Sequence, residues 1–226
     1  MKVSNFTFED FSSLKNRIEY EAFENEPSLL VQFFDGRNDE QLFSDLSSTL
    51  SALLPHATII GVTTAGEILD GKMLENTVTL SFCAFTHTKL IPLYTHHCNF
   101  NGGISVVQHL SHTVKAAIFF SEGLQGKPEE FLSGVNFIRK DLTIAGGAAA
   151  DYGRFARTLI ALNGTVYAHG VVGVAFENAS LKILNHWKLN WNPIGKPMVV
   201  TKVLNNTIFE LDKNAYFRSC SPLFWR

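Results

Sequence analysis

Ala57-Thr58-Ile59-Ile60-Gly61-Val62 runs straight into Thr63-Thr64-Ala65-Gly66-Glu67, and Leu142-Thr143-Ile144-Ala145 runs into Gly146-Gly147-Ala148-Ala149-Ala150-Asp151. A short apolar run that stops at small residues reads as a buried strand, and two such strands with the same kind of exit suggest one unit used twice. Working outward, Leu29–Phe34 is a third apolar run, stopped by Asp35-Gly36, and Ala116–Phe120 is a fourth, stopped by Ser121-Glu122-Gly123. Helical spacing fills the intervals. Phe8, Phe11, Leu14, Ile18 and Ala22 predict a helix over 7–24, and Leu42, Phe43, Leu46, Leu50 and Leu53 predict one over 39–54, ended by Pro55. Gly102-Gly103 opens a helix with Ile104, Val107, Leu110 and Val114 inward; Pro128 opens another that buries Phe131, Val135 and Ile138.

Thr77–Phe85, Lys89–Tyr94 and Leu181–Lys188 predict further strands, as do two short ones around Asn205-Asn206. Asp70-Gly71 and Asn163-Gly164 are hairpin turn signals. Phe33-Phe34 is echoed by Phe119-Phe120, and Gly61 by Gly147 at the same separation; the turns fit after a seven-residue insertion. The expected fold is therefore α/β, with mixed sheets covered by helices. It is built from two tandem copies of a helix–strand–helix–strand–hairpin unit, about 7–97 and 102–190.

Composition limits the function. Apolar residues make up 46% and the formal net charge is −2, with no basic run, so nucleic acid and anionic membrane are poor partners. The three cysteines, Cys83, Cys98 and Cys220, follow no framework spacing, which suits a reducing compartment. With no secretory leader and no apolar stretch near the roughly 20 residues that span a bilayer, a cytoplasmic protein is expected.

The paired exits are the candidate site. Small residues let a ligand approach backbone N–H groups, and ligands of open α/β sheets sit outside strand carboxyl ends. Thr63, Thr64, Ala65, Gly66 and Glu67 would meet Gly146, Gly147, Ala148, Asp151 and Tyr152 across one cleft. There the threonines supply hydroxyls and the acids fix an amine or a water. Close packing of strand ends selects small residues as well. No phosphate loop, G-x-S-x-G elbow or H-E-x-x-H pair is present, so catalysis is not expected, although Thr63 or Thr64 with Glu67 would make an acid/base pair. No metal site is expected either. His96 and His97 are adjacent and point to opposite faces if they lie on a strand, and His109 and His112 fall on the polar stripe of their helix. Trp187, Trp191 and Tyr152 suit either a pocket wall or core packing; Trp191–Pro197 reads as a stiff connector.

The ordered set Gly61–Ile68, Gly146–Asp151, Asn163–Phe176, Trp191–Pro197, Val200–Val203 and Phe209–Asp212 resembles the N-terminal module of FIST proteins, over about 28 to 212. That resemblance implies a sensory domain over 1–212 that binds a small, amino-acid-like ligand. It also implies coupling to a signalling protein such as a histidine kinase, a diguanylate cyclase or a chemotaxis receptor. Some members are haem-binding nitric-oxide sensors, for which His186 and then His169 are the candidate haem residues here. An interaction-only module is a further alternative. FIST proteins usually continue into a C-terminal module, whereas residues 213–226 form an atypical tail. The expectation is a truncated or frameshifted product that exposes Phe217, Leu223, Phe224 and Trp225.

Overall fold

The computed structural model describes residues 1–185, 192, 195–204 and 207–215. They fall into two compact units, Met1–Asn185 and His186–Arg226.

The first unit begins with β1 (Lys2–Thr7), α1 (Phe11–Tyr20), β2 (Leu29–Asp35), α2 (Glu40–Leu53), β3 (Thr58–Thr63), the hairpin β4 (Glu67–Leu69) and β5 (Lys72–Leu74), and β6 (Val78–Ala84). It continues with β7 (Lys89–Thr95), α3 (Phe100–Val107), β8 (Val114–Ser121), α4 (Pro128–Ile138), β9 (Thr143–Ala148), the hairpin β10 (Ile160–Leu162) and β11 (Thr165–Tyr167), and β12 (Val171–Glu177). Capping side chains set the helix starts. Asp10 accepts the Ser13 N–H at 2.8 Å, Asp39 the Gln41 N–H at 3.0 Å, and Asn99 the Gly102 N–H at 3.0 Å.

One sheet runs β1-β6-β2-β3-β10-β11 and the other β7-β12-β8-β9. β1-β6-β2-β3 and β7-β12-β8-β9 follow the same plan: antiparallel, antiparallel, then parallel. The β10–β11 hairpin, although it follows β9 in the chain, pairs with β3 of the other sheet. The core has three parts. One lies between the first sheet and α1 and α2, around Phe23, Phe33, Phe43 and Phe82. Another lies between the second sheet and α3 and α4, around Phe119, Phe131 and Val135. The third, with Ile60, Val62, Phe120, Ile160 and Val174, joins the two sheets face to face. The result is a four-layer α/β/β/α sandwich of mixed sheets covered by helices.

Glycines set two close approaches. A Cβ on Gly61 would fall 2.1 Å from the ring of Phe33, its ladder partner. A Cβ on Gly103 would fall 2.1 Å from the Phe131 carbonyl oxygen, so α3 and α4 pack backbone against side-chain-free backbone.

Several expectations need correction. The helix over 7–24 is shorter, and β1 precedes it. Phe8, counted in the helical stripe, instead follows directly on β1, which pairs with β6, and its N–H donates to the Val78 carbonyl at 2.8 Å. α3 ends at Val107, and Val114 opens β8 instead of the last helical turn. Ile138 is 40% exposed at the end of α4. Residues 181–185 form no strand, and 186–188 lie outside the described residues. Gly146, Gly147 and Ala148 belong to β9 itself, and the ladders put Gly61 beside Phe33 and Gly146 beside Phe119. By ladder position Gly61 matches Gly146, one place before the Gly147 expected from spacing.

In the second unit β13 (Val200–Leu204), β14 (Thr207–Leu211) and β15 (Asn214–Ala215) form an antiparallel sheet, with β13 and β14 paired as expected around Asn205-Asn206. Trp187, Trp191, Phe217, Leu223, Phe224 and Trp225 lie outside the described residues.

Candidate functional site

β2 and β3 are parallel neighbours, so their carboxyl ends open on one edge of the sheet. Asp35 ends β2 and Thr63 ends β3. Thr63 is buried; its Oγ1 accepts the Leu159 N–H at 3.0 Å, and its own N–H donates to the Leu159 carbonyl at 3.0 Å. The Thr64 N–H donates to the Asp35 carbonyl at 2.9 Å, and its hydroxyl donates to Glu67 Oε1. Thr77 Oγ1 donates to the other oxygen, Glu67 Oε2, at 2.5 Å. Gly36 makes room for this carboxylate, since a Cβ there would fall 2.5 Å from Glu67 Oε1. Glu67 is buried as well.

Asp35 completes a buried pair of acids. It is fully buried; Oδ1 accepts the N–H groups of Arg37 at 2.8 Å and Asn38 at 3.3 Å, and Oδ2 has no donor. Burial, with some help from the like charges of Glu67 and Asp39, pushes its carboxyl up to about 6 against the pull of those two N–H donors. Asn38 bridges the exits by donating from Nδ2 to the Thr64 carbonyl at 2.9 Å, while its Oδ1 has no partner.

The second exit arrives at the same place. After β9 the Ala149 N–H donates to the Ser121 carbonyl at 2.8 Å, and the Ala150 N–H donates to the Thr63 carbonyl at 2.9 Å. Tyr152, at a positive φ of 60°, accepts the Asn76 N–H on its hydroxyl at 2.7 Å. Asp151 is buried and accepts the N–H groups of Phe155, Ala156 and Arg157 at 3.1, 2.7 and 3.1 Å. Burial acts to raise its carboxyl, but these backbone donors outweigh it and hold the group below the usual range. Asp151 thus folds its own loop.

The structure brings together Thr63, Thr64 and Glu67 with Ala150 and Tyr152. Gly66, at φ +152°, shapes the turn into β4, with Ala65 exposed beside it. Gly146, Gly147 and Ala148 stay exposed in the ladder of the second sheet. Sequence reasoning missed Asp35, Asn38 and Thr77. The Asp35-Gly36 pair was read only as a strand stop, yet an acid directly before a glycine at a strand exit was the available signal.

The histidines are placed differently from expectation. β7 ends at Thr95, so His96 and His97 lie beyond the strand, with their rings 5.3 Å apart edge to face. His109 and His112 lie past the end of α3 and are exposed. His169 is exposed on a cleft of about 380 Å³ whose walls include His96, His97, Glu122, Lys127 and Glu130. Charged walls do not fit the apolar faces of a haem, so His169 is a poor haem residue. His186 lies outside the described residues.

Fold and site together define a two-sheet α/β module in which strand exits from both halves meet at a cluster of buried polar side chains. Residues 29–214 match the FIST N domain, and the chain belongs to that family, which is associated with signal-transduction sensing. No match to a C-terminal FIST module accompanies it. A search of curated proteins finds no match. Among the described residues no helix is long and apolar enough to cross a membrane.

Proposed function

We propose that this chain is the sensory module of a cytoplasmic signalling system and that it binds a small amine-bearing ligand, amino-acid-like in size, between Asp35, Thr63, Thr64 and Glu67. The observation that carries this reading is the fully buried Oδ2 of Asp35, which has no donor and lies near the buried carboxylate of Glu67. An ammonium group brings three donors and the charge that two buried acids call for. The loop of Ala150 and Tyr152 crosses from the other half onto the exit of β3 and the segment leading into β6, so a ligand held there bears on the joint between the halves. Different affinity in two arrangements of that joint would pass the signal to a partner such as a histidine kinase, a diguanylate cyclase or a chemotaxis receptor. The recurring strand order supports reading the chain as two tandem copies of one unit.

Thermal unfolding across a panel of L-amino acids and simple alkylamines tests it. A true ligand at about 100 times its Kd stabilises by about 2.7 kcal/mol, and Glu67→Gln removes the effect. A panel with no shift, or a shift that survives Glu67→Gln, overturns the proposal.

A second reading rests on the Thr64 hydroxyl donating to Glu67, the arrangement of a hydroxyl beside a base. It predicts turnover of a small molecule that disappears in Thr64→Val with the fold intact. Binding with no turnover favours the sensor.

A further inference from the structure

We infer that a divalent first-row transition metal ion binds at the carboxyl end of β7, held by the imidazoles of His96, His97 and His169. β7 and β12 are antiparallel neighbours, with Thr95 opposite Val171, so continuing the register sets the residues just past β7 against those just before β12. Gly170 makes this approach close. Its φ is +98°, and a Cβ there would fall 2.2 Å from the Thr95 carbonyl oxygen. His169 is thereby carried to His96, with ring centroids 6.2 Å apart, while His96 and His97 are 5.3 Å apart.

The first separation is wider than two imidazoles need at a tetrahedral angle and the second is close to that value, so both fall inside the range open to rings on one ion. With a metal–nitrogen bond of about 2.0–2.1 Å, each ring centroid lies about 3.2 Å from the metal. Two such rings are then about 5.2 Å apart at a tetrahedral angle and about 6.4 Å apart across the ion. As the side chains stand, no three His, Cys, Asp or Glu residues among the described ones could hold a metal ion, so the site requires the rings to turn toward one point. All three histidines are exposed, which leaves room for rotation about their side-chain bonds. Tyr94 Oη lies 3.5 Å from His96 Nδ1, which leaves Nε2 to face an ion.

The surroundings suit a cation. The cleft of about 380 Å³ has room for an ion and its waters. Glu122 and Glu130 face it, and Lys127 is paired with Glu130 at 2.9 Å. The Glu122 carboxylate accepts the N–H groups of Leu124 and Gln125 and is held as part of the wall. Cys98 also lines the cleft but is buried, whereas the three histidines are exposed, so the imidazoles are the accessible ligands. Imidazole donors select zinc, nickel and copper over magnesium and calcium.

The test is calorimetric titration of the whole chain with Zn²⁺ alone, with Co²⁺ absorption reporting the geometry. One ion per chain binds with a Kd in the micromolar range or tighter. His96→Gln and His169→Gln each weaken it at least tenfold, and His112→Gln leaves it unchanged. Far-UV circular dichroism checks that each variant is folded; should His169→Gln fail that check, His97→Gln is judged by the same criterion. No saturable binding by the wild-type chain, or wild-type affinity in folded His169→Gln, overturns the proposal.

Discussion

Replacing Asp35 by Asn separates stability from ligand binding. Asp35 is fully buried, and its carboxyl is raised from 3.8 to about 6, chiefly by burial. A raised carboxyl means that, between these values, the folded chain keeps a proton that the unfolded chain has released. Ionisation therefore costs the fold stability as pH rises from about 4 to 6, and the cost is full above 6. At about 1.4 kcal/mol per pH unit, the rise corresponds to about 3 kcal/mol at pH 7 and about 0.6 kcal/mol at pH 4. Asn has nearly the same shape, and its carbonyl oxygen still accepts the N–H groups of Arg37 and Asn38. Asp35→Asn is thus expected to be more stable than wild type by up to about 3 kcal/mol at pH 7, or about 6–12 °C in Tm for a chain of this length, and nearly equal at pH 4. It should at the same time fail to bind the amine that stabilises wild type. Thermal and urea unfolding at pH 4, 5, 6 and 7 provide the measurement. A variant less stable than wild type at pH 7, or a difference that is the same at pH 4 and 7, would refute the buried, ionised Asp35.

Two further outcomes follow from the packing. Gly61→Ala places a methyl 2.1 Å from the ring of Phe33, so overpacking should cost about 1–3 kcal/mol; combining it with Phe33→Leu should recover part of that loss, whereas strictly additive effects in denaturant unfolding would argue against the Phe33–Gly61 register. Asp151→Ala strips the acceptor from three backbone N–H groups and should cost about 1–3 kcal/mol; because the wild-type carboxyl is held below its usual range, its contribution is present above about pH 4 and lost as pH falls further, so Asp151→Ala and wild type should converge in acid.

Much of the fold was legible because hydrophobic pattern and turn chemistry are local. β2, β3 and β8 are largely apolar runs, β6 alternates apolar with polar residues, and α2 shows an apolar face between Asp39 and Pro55. β1 was not legible. It is an edge strand whose Phe6 leads into the helical spacing of Phe8 and Phe11, and periodicity alone could not separate the two. The β9 exit was read as a loop because glycine and alanine are poor strand formers; ladder pairing to β8 overrides that preference. In the site, Thr63, Thr64 and Glu67 were legible from the small-residue exit. Asp35 was not, since an acid before a glycine at a strand end reads equally as a turn, and only the assembled neighbours bury it.

By itself, the sequence determined the alternation of strands and helices, the two similar exits and the resemblance to FIST proteins, because each is written in neighbouring residues. Only the tertiary structure decided which of those residues meet. It stacked two sheets face to face, sent β10 across to pair with β3, and laid Ala150 on Thr63. It spent Asp151 on its own loop and turned Asp35 into a buried acid without a donor for one oxygen. It also carried His169 to His96 from a distant point in the chain. Contacts of this kind depend on how separate segments share one core, and burial, which sets the charge of Asp35, is a property of the assembled layers.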